Sequence, residues 1–114
     1  MTTPTAENLR CYLDLIAARH KLIASNIANA ATPGYKTKDI DFHSEFERSL
    51  ARGEVRAEVL EVAGLKGRND GNNVSLDREA RMLAESALRF SLASQLWKSQ
   101  HRQLRAAVQE GRNG

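Results

Sequence analysis

The chain has 114 residues, 41% of them apolar and 27% charged, with a formal net charge of +3 and a single cysteine. That length sets one domain as the expectation. One cysteine excludes an internal disulfide framework and a cysteine-clustered zinc site, and no apolar run approaches the roughly 18 residues of a membrane span.

Residues 5–31 read as one helix. Leu9, Leu13, Ile16, His20, Ile23, Ile27 and Ala30 follow alternating spacings of four and three, the a/d heptad of a coiled-coil seam. Tyr12, Ala17, Ala24 and Ala28 widen that stripe, while Arg10, Asp14, Lys21, Ser25 and Asn29 occupy the opposite face. No N-terminal stretch reads as a secretory signal, because Asp14, Arg19, His20 and Lys21 interrupt the first apolar segment. Pro33 pushes Thr32 out of the helical region, and Gly34 tolerates positive φ, so Pro33-Gly34 suits the centre of a type II turn.

Residues 36–73 differ in kind. Phe42, Phe46 and Leu50 recur every four residues and predict a short helix ending at Gly53. Val55, Ala57 and Val59 alternate with Glu54, Arg56 and Glu58, a period-two pattern that predicts a short strand or extended segment. Gly64, Gly67 and Asn69-Asp70-Gly71-Asn72-Asn73 carry turn chemistry and predict a flexible connector.

Residues 75–109 read as a second, longer helix. Ser75 is the expected N-cap, with Asp77 and Glu79 in the first turn. Leu76, Ala80, Leu83, Ala87, Phe90, Ser94, Trp97, His101, Leu104 and Val108 form its heptad seam. Met82, Leu88, Leu92 and Leu96 add a second apolar stripe, which calls for more than one neighbour. The cationic excess sits at the far end, where Lys98, Arg102, Arg105 and Arg112 oppose only Glu110. A cationic helix end complements the macrodipole; it also suits an anionic surface or nucleic acid.

The expected fold class is therefore mainly α. Two long terminal helices with heptad seams form an antiparallel coiled-coil hairpin, joined by a short, partly ordered middle segment. Residues 1–35, 36–73 and 74–114 are the three parts of one structural unit. Leftover apolar surface calls for copies or partners to cover it.

Catalysis finds little support. His20 and His101 fall on the two seams, and no third ligand shares their spacing, so no metal is expected. No H-E-x-x-H, G-x-S-x-G or phosphate-binding glycine loop occurs. Asp70-Gly71-Asn72-Asn73 lacks the following oxygen ligand and terminal Glu of a calcium loop. No cofactor and no small-molecule substrate are expected.

The sharpest local signal is Ser25-Asn26-Ile27-Ala28-Asn29-Ala30-Ala31-Thr32-Pro33-Gly34-Tyr35. The stretch from Leu22 to Tyr35 resembles the N-terminal signature of bacterial flagellar rod and hook proteins. Its continuation, Lys36 to Phe42, is similar to the B-type proximal rod subunits. So is the block from Asp70 to Glu79, followed by Leu83-Ala84-Glu85 and Ala87-Leu88-Arg89-Phe90.

This resemblance implies a structural protein, not an enzyme, whose terminal helices pair in the inner layer of a helical tube. It implies a place in the periplasmic rod of the flagellar basal body, with export through the flagellar type III apparatus and no cleaved signal peptide. The implied partners are other rod subunits, a rod–ring adaptor and the membrane-ring protein, with no nucleic acid. By position, the implied assembly residues are Asn26, Ile27, Asn29, Thr32, Pro33, Gly34 and Tyr35 at the first helix end. At the start of the second they are Asp70, Gly71, Asn72, Val74, Leu76 and Glu79. Leu9, Leu13, Ile16, Ile23, Ile27, Leu83, Phe90, Trp97 and Leu104 are the expected large seam residues. A helical export chaperone or adaptor, and a basic nucleic-acid-binding helical protein, are the rival readings of the same pattern.

Overall fold

In the computed structural model, which describes residues 4–113, three helices and one minimal sheet follow in the order α1, β1, α2, β2, α3. Helix α1 spans Pro4–Ala28; a proline in the first turn has no N–H to waste and a φ already set for helix. Helix α2 spans Phe42–Arg52, and helix α3 spans Leu76–Asn113. At 1.5 Å per residue the two long helices measure about 37 and 57 Å, and the chain extends over 71 × 25 × 17 Å.

Helix α1 is the hub. It touches α2, β1 and α3, and it supplies most of the apolar core through Cys11, Leu15, Ile16 and Ile23. Three neighbours need more than one stripe, so the buried surface of α1 is broader than a two-helix seam. Tyr12 meets Phe42 and Phe46 edge-on, with ring centroids 5.3 and 5.5 Å apart, a favoured aromatic geometry.

Local chemistry sets both ends of α2, the second at the Gly53 that the sequence places there. Asp41 caps its start, accepting from the Ser44 N–H at 3.4 Å and the Ser44 hydroxyl at 3.0 Å. Gly53 closes it with φ +80 and an N–H bond of 2.8 Å to the Ser49 carbonyl, the left-handed stop that glycine permits.

The extended pairing differs from expectation. Residues 55–59 form no strand, although Val55 and Ala57 are half-buried between exposed Glu54, Arg56 and Glu58. The strand pairing is antiparallel, between β1 (Lys38–Asp39) and β2 (Leu60–Glu61), with Lys38 opposite Glu61 and Asp39 opposite Leu60. Alternation alone makes no ladder; a strand needs a partner backbone, and Lys38–Asp39 supplies one only for these two residues.

Helix α3 starts as its sequence predicts. The Ser75 hydroxyl accepts from the Arg78 N–H at 3.2 Å, an N-cap bond that satisfies one orphan donor. The face it turns toward the rest of the chain is not the heptad seam. Glu79, Ser86 and Ala93 are buried, whereas Leu76, Leu83, Phe90, Trp97, Leu104 and Val108 are all exposed. Both stripes have heptad spacing, offset by about one residue and hence by about 100° around the helix. From His101 to Arg112 every side chain is exposed, so the last part of α3 projects beyond the body.

Candidate functional site

The two sequence blocks that bear the resemblance meet in space, at the junction of α1 with the start of α3. Helix α1 leaves its last carbonyls without helical partners, as every helix does, and no basic residue lies in its last turn. Just beyond the helix, Asn72 satisfies two carbonyls of the following turn, the first of them 43 positions away in sequence. Its side-chain amide donates to the Asn29 carbonyl at 2.9 Å and the Thr32 carbonyl at 2.8 Å. Its side-chain oxygen accepts from the Val74 N–H at 2.8 Å. Asn72 is fully buried, and both ends of its amide have partners.

Asn26 works in the same way on the other side. Its side-chain oxygen accepts from the Lys38 N–H and the Tyr35 hydroxyl, both at 3.0 Å. Its amide donates to the Lys38 carbonyl at 2.8 Å. The side chain thus engages both backbone groups of Lys38, as a neighbouring strand would. With its hydroxyl proton given to Asn26, Tyr35 accepts from Ser25 Oγ at 3.1 Å.

Between these two asparagines the chain turns sharply. The Tyr35 N–H bonds the Thr32 carbonyl at 3.2 Å, and Gly34 has φ +75, the type II geometry expected of Pro33-Gly34. The Gly34 N–H reaches the Asp70 carbonyl at 2.9 Å, and the Asn73 N–H reaches the Tyr35 carbonyl at 3.2 Å. Gly71, at φ +85, lies so near Gly34 that a Cβ there would sit 3.4 Å from the Gly34 Cα. The stretch from Arg68 to Asn73, read from sequence as flexible, is pinned at many points: Arg68 also donates to the Ala30 and Val74 carbonyls, and Lys36 to the Gly71 carbonyl.

A charged bridge lies beside this knot. Asp39 accepts from Arg19 on α1 at 3.0 and 3.3 Å and from Arg78 on α3 at 2.9 Å. Burial pushes the Asp39 carboxyl up. The two guanidinium groups and the Ile40 N–H outweigh that, and hold it below the ordinary carboxylate range. Arg78 also bonds its fully buried chain neighbour Glu79 at 2.8 Å. Sequence reasoning missed Arg19, Arg68, Asp39 and Arg78 as a group. Their separation along the chain carries no periodic signal.

The residues singled out from sequence therefore divide in two. Asn26, Asn29, Tyr35, Asn72, Val74 and Glu79 face inward; Asn26 ties α1 to β1, and Asn72 ties the turn after α1 to the segment before α3. Ile27, Thr32, Pro33, Gly34, Asp70 and Leu76 face outward, with Ile27 40% and Leu76 57% exposed. Of the seam residues, Ile16 and Ile23 are buried, Leu9 and Leu13 are half-buried, and Leu83, Phe90, Trp97 and Leu104 are exposed. The outward set continues along α3 as one apolar stripe from Leu76 to Val108. Contiguous apolar surface of this kind marks a site of association. A second opening, an apolar groove, lies where Leu9, Tyr12, Phe46, Leu92 and Leu96 converge.

Residues 15–36 match a family model described as flagella basal body rod protein. Among characterised proteins, the chain is similar to the flagellar basal body rod protein FlgB of Escherichia coli strain K12. The identity is 29% over 122 aligned positions, covering 87% of this chain and 88% of that protein. The FlgB of Salmonella typhimurium aligns over the same shares, also at 29% identity. With the FlgB of Cereibacter sphaeroides the identity is 39% over 93 positions, covering 68% of this chain and 73% of the relative.

Proposed function

This chain belongs to the FlgB family of flagellar basal body rod proteins, and from that premise we propose that it is a structural subunit of the proximal rod. In this reading its terminal helices polymerise into the drive shaft that carries torque from the membrane ring toward the hook. The observation that carries it is the apolar stripe of α3, from Leu76 to Val108, which no other part of the described chain covers. A subunit that buries its polar signature within itself and leaves its apolar seam outside is built for association. Contacts of that kind that do not close on themselves generate helical filaments.

The two long helices act as one antiparallel unit in this assembly. Tyr12 near the start of α1 bonds Arg89 in mid-α3 at 3.2 Å, while Arg19 is linked through Asp39 to Arg78 near the start of α3. These opposed orders support the hairpin. The partners are other rod subunits, the adaptor and membrane ring at the rod base, and the type III apparatus that exports the chain. The outward residues Ile27, Pro33 and Leu76 are the contact points at one end of the subunit. The inward residues Asn26, Asn72 and Glu79 keep that end in shape.

An in-frame deletion with complementation tests the reading. Cells lacking the gene are expected to be non-motile, with membrane rings but no rod, and to recover on expression of the intact chain. Motile deletion cells with intact rods would overturn it.

A further inference from the structure

We propose that the free protein forms a dimer in which α3 lies antiparallel against α3 of a second copy, along the exposed stripe. This goes beyond the rod reading, since such a pair would occupy the assembly surface before assembly begins.

The argument starts from how the stripe is composed. Its large members, Leu76, Leu83, Phe90, Trp97 and Leu104, recur every seven residues. The alternating positions hold the small side chains Ala80, Ala87 and Ser94, with larger His101 and Val108 toward the end. Parallel pairing in register would set large against large and small against small, leaving alternate layers crowded and hollow. Antiparallel pairing centred near residue 92 sets Ala80 opposite the second copy's Leu104, Ala87 opposite its Trp97, and Ser94 opposite its Phe90, while Leu83 meets His101 and Leu76 meets Val108. In those first three layers, and in their symmetry copies, large and small side chains interdigitate with least strain and least void.

Charge selects the same orientation. Lys98, Arg102, Arg105 and Arg112 crowd the last part of α3 with only Glu110 to oppose them, and among the described residues none of the four has an ion-pair partner. A parallel pair would place these cations side by side. The antiparallel pair separates them to opposite ends, and brings Arg105 beside the second copy's Asp77 on the flank of the seam, where such charges set orientation. Opposed helix macrodipoles add in the same sense. The contact is isologous and therefore closes at two copies.

Among the described residues nothing competes for the seam. Helix α1 packs on the neighbouring stripe through Glu79, Ser86 and Ala93, so both contacts fit on one helix.

Sedimentation of the full chain is expected to give a dimer that Leu83→Glu converts to monomer without loss of helix signal. Orientation is read by disulfide trapping in a Cys11→Ala background. Ala80→Cys mixed with Leu104→Cys should yield the mixed disulfide in preference to either homodisulfide. Homodisulfides at 80 and 104 without the mixed species, a monomeric intact chain, or an open ladder of larger species would each overturn the proposal. The sedimentation result on the unaltered chain stands even if the cysteine variants misfold.

Discussion

Asn72 donates to the carbonyl of Asn29 at 2.9 Å, so a side chain from just before α3 finishes the hydrogen bonding just beyond the end of α1. With Thr32 and Val74 as its other partners, this one amide ties both signature blocks together. Asn72→Ala strands two carbonyls and one N–H in a buried place. Its expected cost is about 2–3 kcal/mol, the desolvation of unmade bonds, and a drop of several degrees in Tm. Asn72→Asp should be worse, because a carboxylate would face those carbonyls. Thermal melts of the three proteins check the order.

Gly71 and Gly111 give a contrast in sign. Gly71 holds φ +85 with the Gly34 backbone 3.4 Å from where a Cβ would stand. Gly71→Ala should destabilise by about 1–2 kcal/mol, the ordinary penalty for a side chain in the left-handed region. Gly111 lies in α3 with open space around it. Gly111→Ala should raise local helicity, by up to about 1 kcal/mol of propensity, without moving the main unfolding transition. Circular dichroism separates the two.

Asp39 sets a pH dependence. Its folded carboxyl lies below the ordinary range, so its stabilisation is complete above the unfolded pKa of about 4 and is lost as pH falls through the folded value. The stability gap between the intact chain and Asp39→Asn should therefore be widest near neutral pH and narrow below about pH 4. Denaturant titrations at pH 7 and pH 3 measure it; a gap independent of pH would remove Asp39 from this role.

The two stripes of α3 predict opposite behaviour. Trp97→Glu alters an exposed seam residue. In the monomeric Leu83→Glu chain it should leave folding stability within about 0.5 kcal/mol, as surface changes do, and in the otherwise intact chain it should abolish swimming in the complementation strain. Ala93→Glu forces a charge into the α1 contact, where Ala93 is 4% exposed, and should loosen the helix pair itself. Unfolding curves and motility plates together distinguish loss of assembly from loss of fold.

Much of this was legible in the sequence because it is written locally. Heptad spacing found both long helices, and Gly53, Ser75 and the Pro33-Gly34 turn marked boundaries through chemistry within a few residues, while the Asp41 cap of α2 emerged only from the structure. The choice of face on α3 was not legible. The stripe that packs on α1 carries Glu79 and Ser86, polar residues that apolar periodicity assigns to the outside. Arg78, which bonds Glu79, is itself held by Asp39 from β1, and no periodicity reports a pairing 39 residues apart. The pairing of β1 with β2 was not legible for the same reason, since it depends on which backbone lies alongside.

Because α3 projects past its contact with α1, its two parts differ in local unfolding free energy. Amides around Ser86 open only when the helices separate, whereas those beyond His101 belong to an unsupported helix of about three turns, a length that is marginal in water. Hydrogen exchange along α3 of the monomeric Leu83→Glu chain should therefore run from near-global protection to near-solvent rates within one molecule. Any association that covers the seam would extend protection toward Val108, which turns the exchange profile of a single helix into a gauge of how far the subunit is engaged.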